Sequence, residues 1–217
     1  DGSIKQAVVS LPTCCAITPE DCIIFSDRNH HTIRKISSNL KNIETIVGKP
    51  KKSGMLSEGK LAIPSGVCLD KEGNLFICDE RNHSIVKRSP EGKVSLVVEA
   101  KKAKDWPRRV VCDTKTNCVY FVCDSRIYKS EKGNLEFIYN HSHGIYGFVM
   151  DRHGDLYFGG QNGDNTNIGV YKMCLKLPER PVFQLEIDPV INVVTGMCYW
   201  KSTLYICSRK QLFTLRL

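Results

Sequence analysis

No run in this sequence is apolar and long enough to cross a membrane as a helix, which takes about 20 such residues. Helical membrane proteins are therefore excluded, and no membrane contact is expected. No secretory-leader pattern stands at Asp1. The chain begins inside its domain, so the expectation is a monomeric domain of a larger protein, and the sequence leaves open whether a leader or further domains were trimmed. Gly-x-Ser-x-Gly, a Walker sequence and a well-spaced carboxylate pair are all missing, which removes the common hydrolase and nucleotidase signatures. Cys-x2-Cys and a hairpin His pair at ligand spacing are missing too, which argues against zinc.

What is present is a rhythm. Pro64–Glu99 holds four short runs, Gly66–Leu69, Leu75–Cys78, Ser84–Arg88 and Val94–Val98. Turn signals separate them: Lys71-Glu72-Gly73-Asn74, Asp79–His83 and Pro90-Glu91-Gly92. β-Branched and aromatic residues fill the runs, so the stretch predicts a four-stranded antiparallel meander. One meander cannot bury both of its faces and needs neighbours like itself. The end of its second strand recurs as Ser26-Asp27, Cys78-Asp79, Cys123-Asp124, Gly159-Gly160 and Cys207-Ser208. Gly66, Gly147 and Gly196 share one position before the first strand, and Pro12, Pro64 and Pro107 share another. Five units in 217 residues give a period of about 43, the spacing of propeller blades. The expected fold is all-β, a single β-propeller of five blades with four antiparallel strands each. Six blades is the alternative, with Ile4–Val9 as the remnant of the sixth. In the five-blade reading, Ile4–Val9 supplies the outer strand that Gln211–Leu217 lacks, and so closes the ring.

The blade Pro64–Glu99 resembles an NHL repeat, through Pro64, Gly66, Val67, Asp70, Gly73, Asn74, Leu75, Phe76, Asp79, Asn82, His83 and Ile85. Arg28–Ile36 resembles the second half of the same pattern, and Ile46–Leu61 the connector between such repeats. The likeness is strong over residues 12–99. Beyond 100 the strand rhythm persists with Asp113, Asp124 and Asp151, without Asn-His. The resemblance implies an NHL-type propeller domain over 1–217.

Eleven cysteines are an odd number, so internal pairing cannot be complete. Cys68 and Cys198 fall at one repeat position, and Cys78, Cys123 and Cys207 at another. These are small-residue positions of the two inner strands, where a free thiol packs as a small apolar group. Cys14-Cys15 is vicinal, and adjacent strand residues face opposite sides. A disulfide framework is disfavoured, and a reducing, cytoplasmic setting is expected.

Asp27, Asn29 and His30, with Asp79, Asn82 and His83, sit in the turns between second and third strands. Short polar side chains there bond turn amides, so these six are read as a structural repeat motif. A His beside an Asp also suits a general base, but the pair recurs in two blades, whereas a catalytic site is single. No cofactor, metal or catalytic residue is assigned. His141-x-His143 is the remaining conceivable metal pair.

The net charge is +8. If the register holds, its excess falls on one rim, that of the connectors and the turns after second strands. The candidate partner-binding residues are Arg28, Lys51, Lys52, Arg81, Lys101, Lys102, Trp106, Arg108, Arg109, Arg126, His143, Tyr146 and Arg209. Glu58, Glu80, Glu99 and Asp105 oppose them. The resemblance implies that this rim is the binding face. Gly159–Gly169 replaces the family turn in the fourth blade and is a candidate binding loop; it lacks the spacing of a calcium loop. Three functional classes remain. The first is a non-catalytic module for an acidic protein or peptide. The second is a single-stranded RNA binder, as the resemblance to tripartite-motif NHL domains allows, since basic residues interleaved with aromatics suit phosphates and stacked bases. The third is a propeller enzyme of the lyase kind.

Overall fold

Wherever β-branched and aromatic residues recur in the five-fold rhythm, a strand forms, and consecutive strands pair with their sequence neighbours. The computed structural model describes residues 1–100, 106–161, 168–187, 194–208 and 211–217. The first sheet comprises β1 (Gly2–Ser3), β2 (Pro12–Ile17), β3 (Ile23–Asp27), β4 (Thr32–Ile36) and β5 (Asn42–Gly48), in the order β1-β5-β4-β3-β2. The second holds β6 (Pro64–Leu69), β7 (Leu75–Asp79), β8 (Ser84–Arg88) and β9 (Val94–Glu99). β10 (Pro107–Cys112), β11 (Val119–Cys123), β12 (Arg126–Glu131) and β13 (Asn134–Asn140) form the third. The fourth is β14 (Ile145–Met150), β15 (Leu156–Gln161), β16 (Ile168–Met173) and β17 (Val182–Leu185). In the fifth, β18 (Gly196–Trp200), β19 (Thr203–Cys207) and β20 (Leu212–Arg216) run in sequence order. These are the five antiparallel blades of an all-β propeller. Helix among the described residues amounts to three 3-10 turns, Arg28–His30, Leu56–Glu58 and Glu80–Asn82.

The shared prolines have a structural reason. In the first three sheets the register between first and second strands slips just after Pro12, Pro64 and Pro107. A proline cannot donate to a ladder, and a strand's first residue beside a bulge is where it is tolerated.

The chain divides into two compact units, residues 1–123 with 129–136, and residues 124–128 with 137–217. The first unit buries Ile24, Ile33, Val47, Leu61, Val67, Leu75, Ile77 and Val86 in one core. Strands of neighbouring blades approach closely there. A Cβ on Gly66 would lie 2.7 Å from the Arg108 carbonyl oxygen, so only glycine fits. The second unit has its own core of Val149, Tyr157, Val170, Val194, Leu204 and Ile206. At Gly147, the repeat equivalent of Gly66, a Cβ would meet Val194 Cγ1 at 2.8 Å.

Two expectations are corrected. Residues Ile4–Val9 do not supply the outer strand of the fifth sheet, which has three strands among the described residues. Instead β1 pairs with β5, Gly2 opposite Ile43, and makes the first sheet five-stranded. The segment after β1 is fastened to the same blade: Ile4 N–H donates to the Lys41 carbonyl at 2.8 Å and Arg34 Nη1 to the Val8 carbonyl at 3.4 Å. The cysteine reading holds for Cys78 and Cys123, which are fully buried, and fails in the fifth blade, where Cys198 and Cys207 are exposed. No disulfide joins any of the eleven cysteines.

Candidate functional site: the connector end of the first unit

β3 and β7 each end on an aspartate, then a 3-10 turn, then a histidine with left-handed backbone. His31 (φ 59°) and His83 (φ 49°) hold that place. The two turns therefore align Asp27 with Asp79, His30 with Asn82 and His31 with His83. The Asn29-His30 dipeptide looks like Asn82-His83 in sequence but stands one position early. Asn29 turns outward to Ser10, its Nδ2 3.3 Å from the hydroxyl.

Both aspartates are buried, and each ties the preceding connector to its blade. Asp27 Oδ1 accepts the Ser10 N–H at 2.8 Å, and Asp79 Oδ1 accepts the Ala62 N–H at 2.7 Å. Their second oxygens differ. Asp27 Oδ2 meets His30 Nδ1 at 2.8 Å and the buried guanidinium of Arg34 at 3.2 Å. Asp79 Oδ2 receives the Asn82 amide at 2.7 Å, and that amide also donates to the Gly54 carbonyl at 2.9 Å. Burial pushes the Asp79 carboxyl up to about 6, against the opposing pull of the Ala62 and Asn82 bonds. Asp27, His30, Asp79 and Asn82 make these bonds, and Asn29 takes no part in them. The Asp27–His30 pair has the geometry of a base and its orienter, but among the described residues no hydroxyl or thiol nucleophile is bonded to His30.

The first unit brings several of the candidate binding residues together. Arg28 Nη2 donates to both carboxylate oxygens of Glu80 at 2.9 Å, and Glu80 is only 2% exposed. Arg108 approaches the same carboxylate from β10, Nε to Oε1 3.7 Å, with its side chain nearly half exposed. Two guanidiniums thus share one buried carboxylate, and the cluster keeps a net positive charge. Beside it, Arg81 lies over the Trp106 ring, 4.3 Å from the centroid, and the His83 ring stands 6.4 Å from Trp106. Lys51 and Lys52 are exposed in the connector, with the Lys51 N–H donating to the His30 carbonyl at 2.9 Å. Arg109 is half-buried and its Nη1 donates to the Arg108 carbonyl at 3.2 Å. Sequence reasoning counted Glu80 as an opposing surface acid. Its burial and its grip on Arg28 come from side chains 52 residues apart, a distance no local pattern carries. Arg34, the buried counter-charge of Asp27, was also missed.

In the second unit Arg126 is half-buried, Tyr146 is exposed, and His143 Nδ1 lies 3.0 Å from the Ser142 hydroxyl. His141 is buried, not open to a ligand: its ring packs 4.7 Å from Tyr171 and 5.6 Å from Phe158. Among the described residues no three metal-ligating side chains converge. Lys101, Lys102 and Arg209, and residues 162–167 of the Gly159–Gly169 loop, lie outside the described residues.

Comparison with known proteins agrees with this geometry. Residues 61–87 match the family model of the NHL repeat, which covers Leu61, β6, β7, the Asp79–His83 turn and most of β8. No curated protein matches the chain. Among solved structures, a nidogen/laminin complex shares the fold with TM-score 0.76 and 16% identity, over 96% of this chain and 77% of that one. A gluconolactonase from Xanthomonas campestris gives 0.73 and 12%, over 95% and 72%. A streptogramin B lyase gives 0.68 and 14%, over 95% and 68%. At these identities the likeness is one of fold, and a fold hosts many functions. The chain is a five-bladed β-propeller that carries an NHL repeat at residues 61–87.

Proposed function

We propose that the protein is a non-catalytic interaction module that recruits a protein or peptide of acidic character through the connector end of its first three blades. One observation carries the reading: Arg28 and Arg108 bracket the single buried carboxylate of Glu80, with Arg81 held beside them on Trp106. Glu80 fixes Arg28 in place, so part of the entropy cost of ordering a long cation is already met before a partner arrives. Among the described residues Arg108 is held by a 3.7 Å ion pair to Glu80, and its fork has donors to offer an incoming carboxylate. The unbridged cysteines support a reducing, cytoplasmic setting. The lyase and gluconolactonase neighbours share the fold alone and do not shift this reading to an enzyme.

RNA binding by the same end is the second reading. Arg81 covers one face of Trp106, which reduces the stacking surface a base would use and favours the peptide. Fluorescence polarisation with a glutamate-rich peptide and with a pool of short single-stranded RNAs, at low and physiological salt, separates the two. The expected result is peptide binding that survives physiological salt and falls in an Arg81→Glu/Arg108→Glu variant. Sequence-selective RNA binding that survives salt and is lost in the same variant would replace the proposal.

A further inference from the structure

The strand ends remote from the Arg28–His30 and Glu80–Asn82 turns enclose a cleft of about 500 Å³ in the first unit. Two cross-strand rows form its walls. In the first sheet Ile24, Lys35 and Glu44 are direct neighbours across β3, β4 and β5. In the second, Leu69, Leu75 and Arg88 are direct neighbours across β6, β7 and β8. Ile24 and Leu75 belong to the buried core, and Ile46 and Leu69 pack against it half-buried, so the floor is apolar. Charges ring the floor, and most are matched. Lys35 pairs with Glu44 and Lys71 with Glu72, each at 3.7 Å.

Glu20, hydrogen-bonded by Thr18, and Arg88 are left without an ion pair among the described residues. Arg88 feels the Glu91 carboxylate only from beyond ion-pair distance. Its one side-chain bond runs from Nη1 to the Ser89 carbonyl at 3.1 Å, and its Nε is buried without a partner. An unmet buried N–H on a charged group is unfavourable, and an acceptor supplied by a ligand would relieve it. A small outward turn of the guanidinium would offer Nε and Nη2 together, the fork that grips a carboxylate with two parallel bonds.

We infer that this cleft binds a compact amphipathic carboxylate, with its apolar body on Ile24, Ile46, Leu69 and Leu75 and its anion on Arg88. The volume falls in the range of small-molecule sites, about 300–1,000 Å³. The same chemistry comes from a free organic acid or from the apolar C-terminal residue of another chain. This site lies at the other end of the strands from the proposed acidic-partner surface and does not depend on it.

The test is a set of ¹³C-methyl spectra of the isoleucines, titrated with 4-phenylbutyrate, with 4-phenylbutyramide and with acetyl-Gly-Gly-Leu bearing a free carboxylate. The expected result is saturable movement of the Ile24 and Ile46 methyls with the acid. The amide should bind at least about tenfold more weakly, the worth of one charged hydrogen-bonding group. Arg88→Gln should reduce the acid to the affinity of the amide. Tighter binding of the peptide than of the acid identifies a chain terminus as the source; the reverse identifies a free acid. Absence of movement up to about 10 mM, or equal binding of acid and amide, overturns the inference. Should Arg88→Gln fail to fold, the acid and amide on the unaltered chain still decide.

Discussion

The first and second blades solve one problem in two ways. Each must bury a carboxylate at the end of its second strand so that the preceding connector has a fixed acceptor. In the first blade the aspartate meets the Arg34 guanidinium at 3.2 Å and the His30 ring at 2.8 Å. In the second it is matched by neutral donors alone, the Ala62 N–H and the Asn82 amide. Geometry is conserved between the two turns while electrostatics is not. A repeat motif therefore fixes where the acceptor oxygens stand, and the residues around it decide which donors meet them.

The largest effect expected from breaking this comparison is at Asp27. Asp27→Ala would take from the Arg34 guanidinium, 4% exposed, its buried partner and leave it only the exposed Asp1 carboxylate at 3.2 Å among the described residues, and should cost up to about 3–5 kcal/mol. Urea unfolding measures it. Asp79→Ala removes hydrogen bonds but strands no buried charge, so about 1–3 kcal/mol is expected. A smaller cost at Asp27 than at Asp79 would refute the assignment.

A pH series sharpens the same contrast. The Asp79 carboxyl is raised from 3.8 to about 6 in the folded chain, so the folded state holds this proton more tightly than the unfolded state does. Its contribution is fully present below about pH 4 and is lost as pH rises through about 6, up to about 3 kcal/mol in all. Asp79→Asn should remove that slope, and the difference between variant and unaltered chain should vary between about pH 4 and 6 and be flat above. The smallest effect belongs to His30→Asn, which gives the first turn the residue of the second. Asn can still donate to Asp27 Oδ2, so a change within about 1 kcal/mol is expected from thermal unfolding.

The fold was legible where physics repeats along the chain. Strand runs, turn residues and prolines recur with one period, and their alignment placed five sheets; the bulges beside those prolines and the close approach at Gly66 came from the structure. Position β1 was not legible, because two residues, Gly2 and Ser3, carry no periodic signal and their pairing with β5 is set by the path of residues 4–11. The one-residue slip at Asn29-His30 was hidden by the second histidine, His31, which takes the left-handed position that the dipeptide suggested for His30. At the connector end of the first unit, the residue types carry the sign of the charge but not its pairing. Arg28, Glu80 and Arg108 come from three different blades, and their meeting is a product of tertiary structure. The cleft beside Arg88 was unseen for the same reason: its two walls are cross-strand rows, and a row joins residues that sequence keeps apart.

The central claim is that the Arg81–Arg108 side of the connector end selects an acidic partner. Charge reversal tests it most directly. Arg81→Glu/Arg108→Glu should lose a glutamate-rich peptide by about tenfold or more and gain the peptide in which lysine replaces each glutamate, with the fold intact by circular dichroism. If both peptides bind the variant as they bind the unaltered chain, recognition lies elsewhere and the account of this surface is wrong.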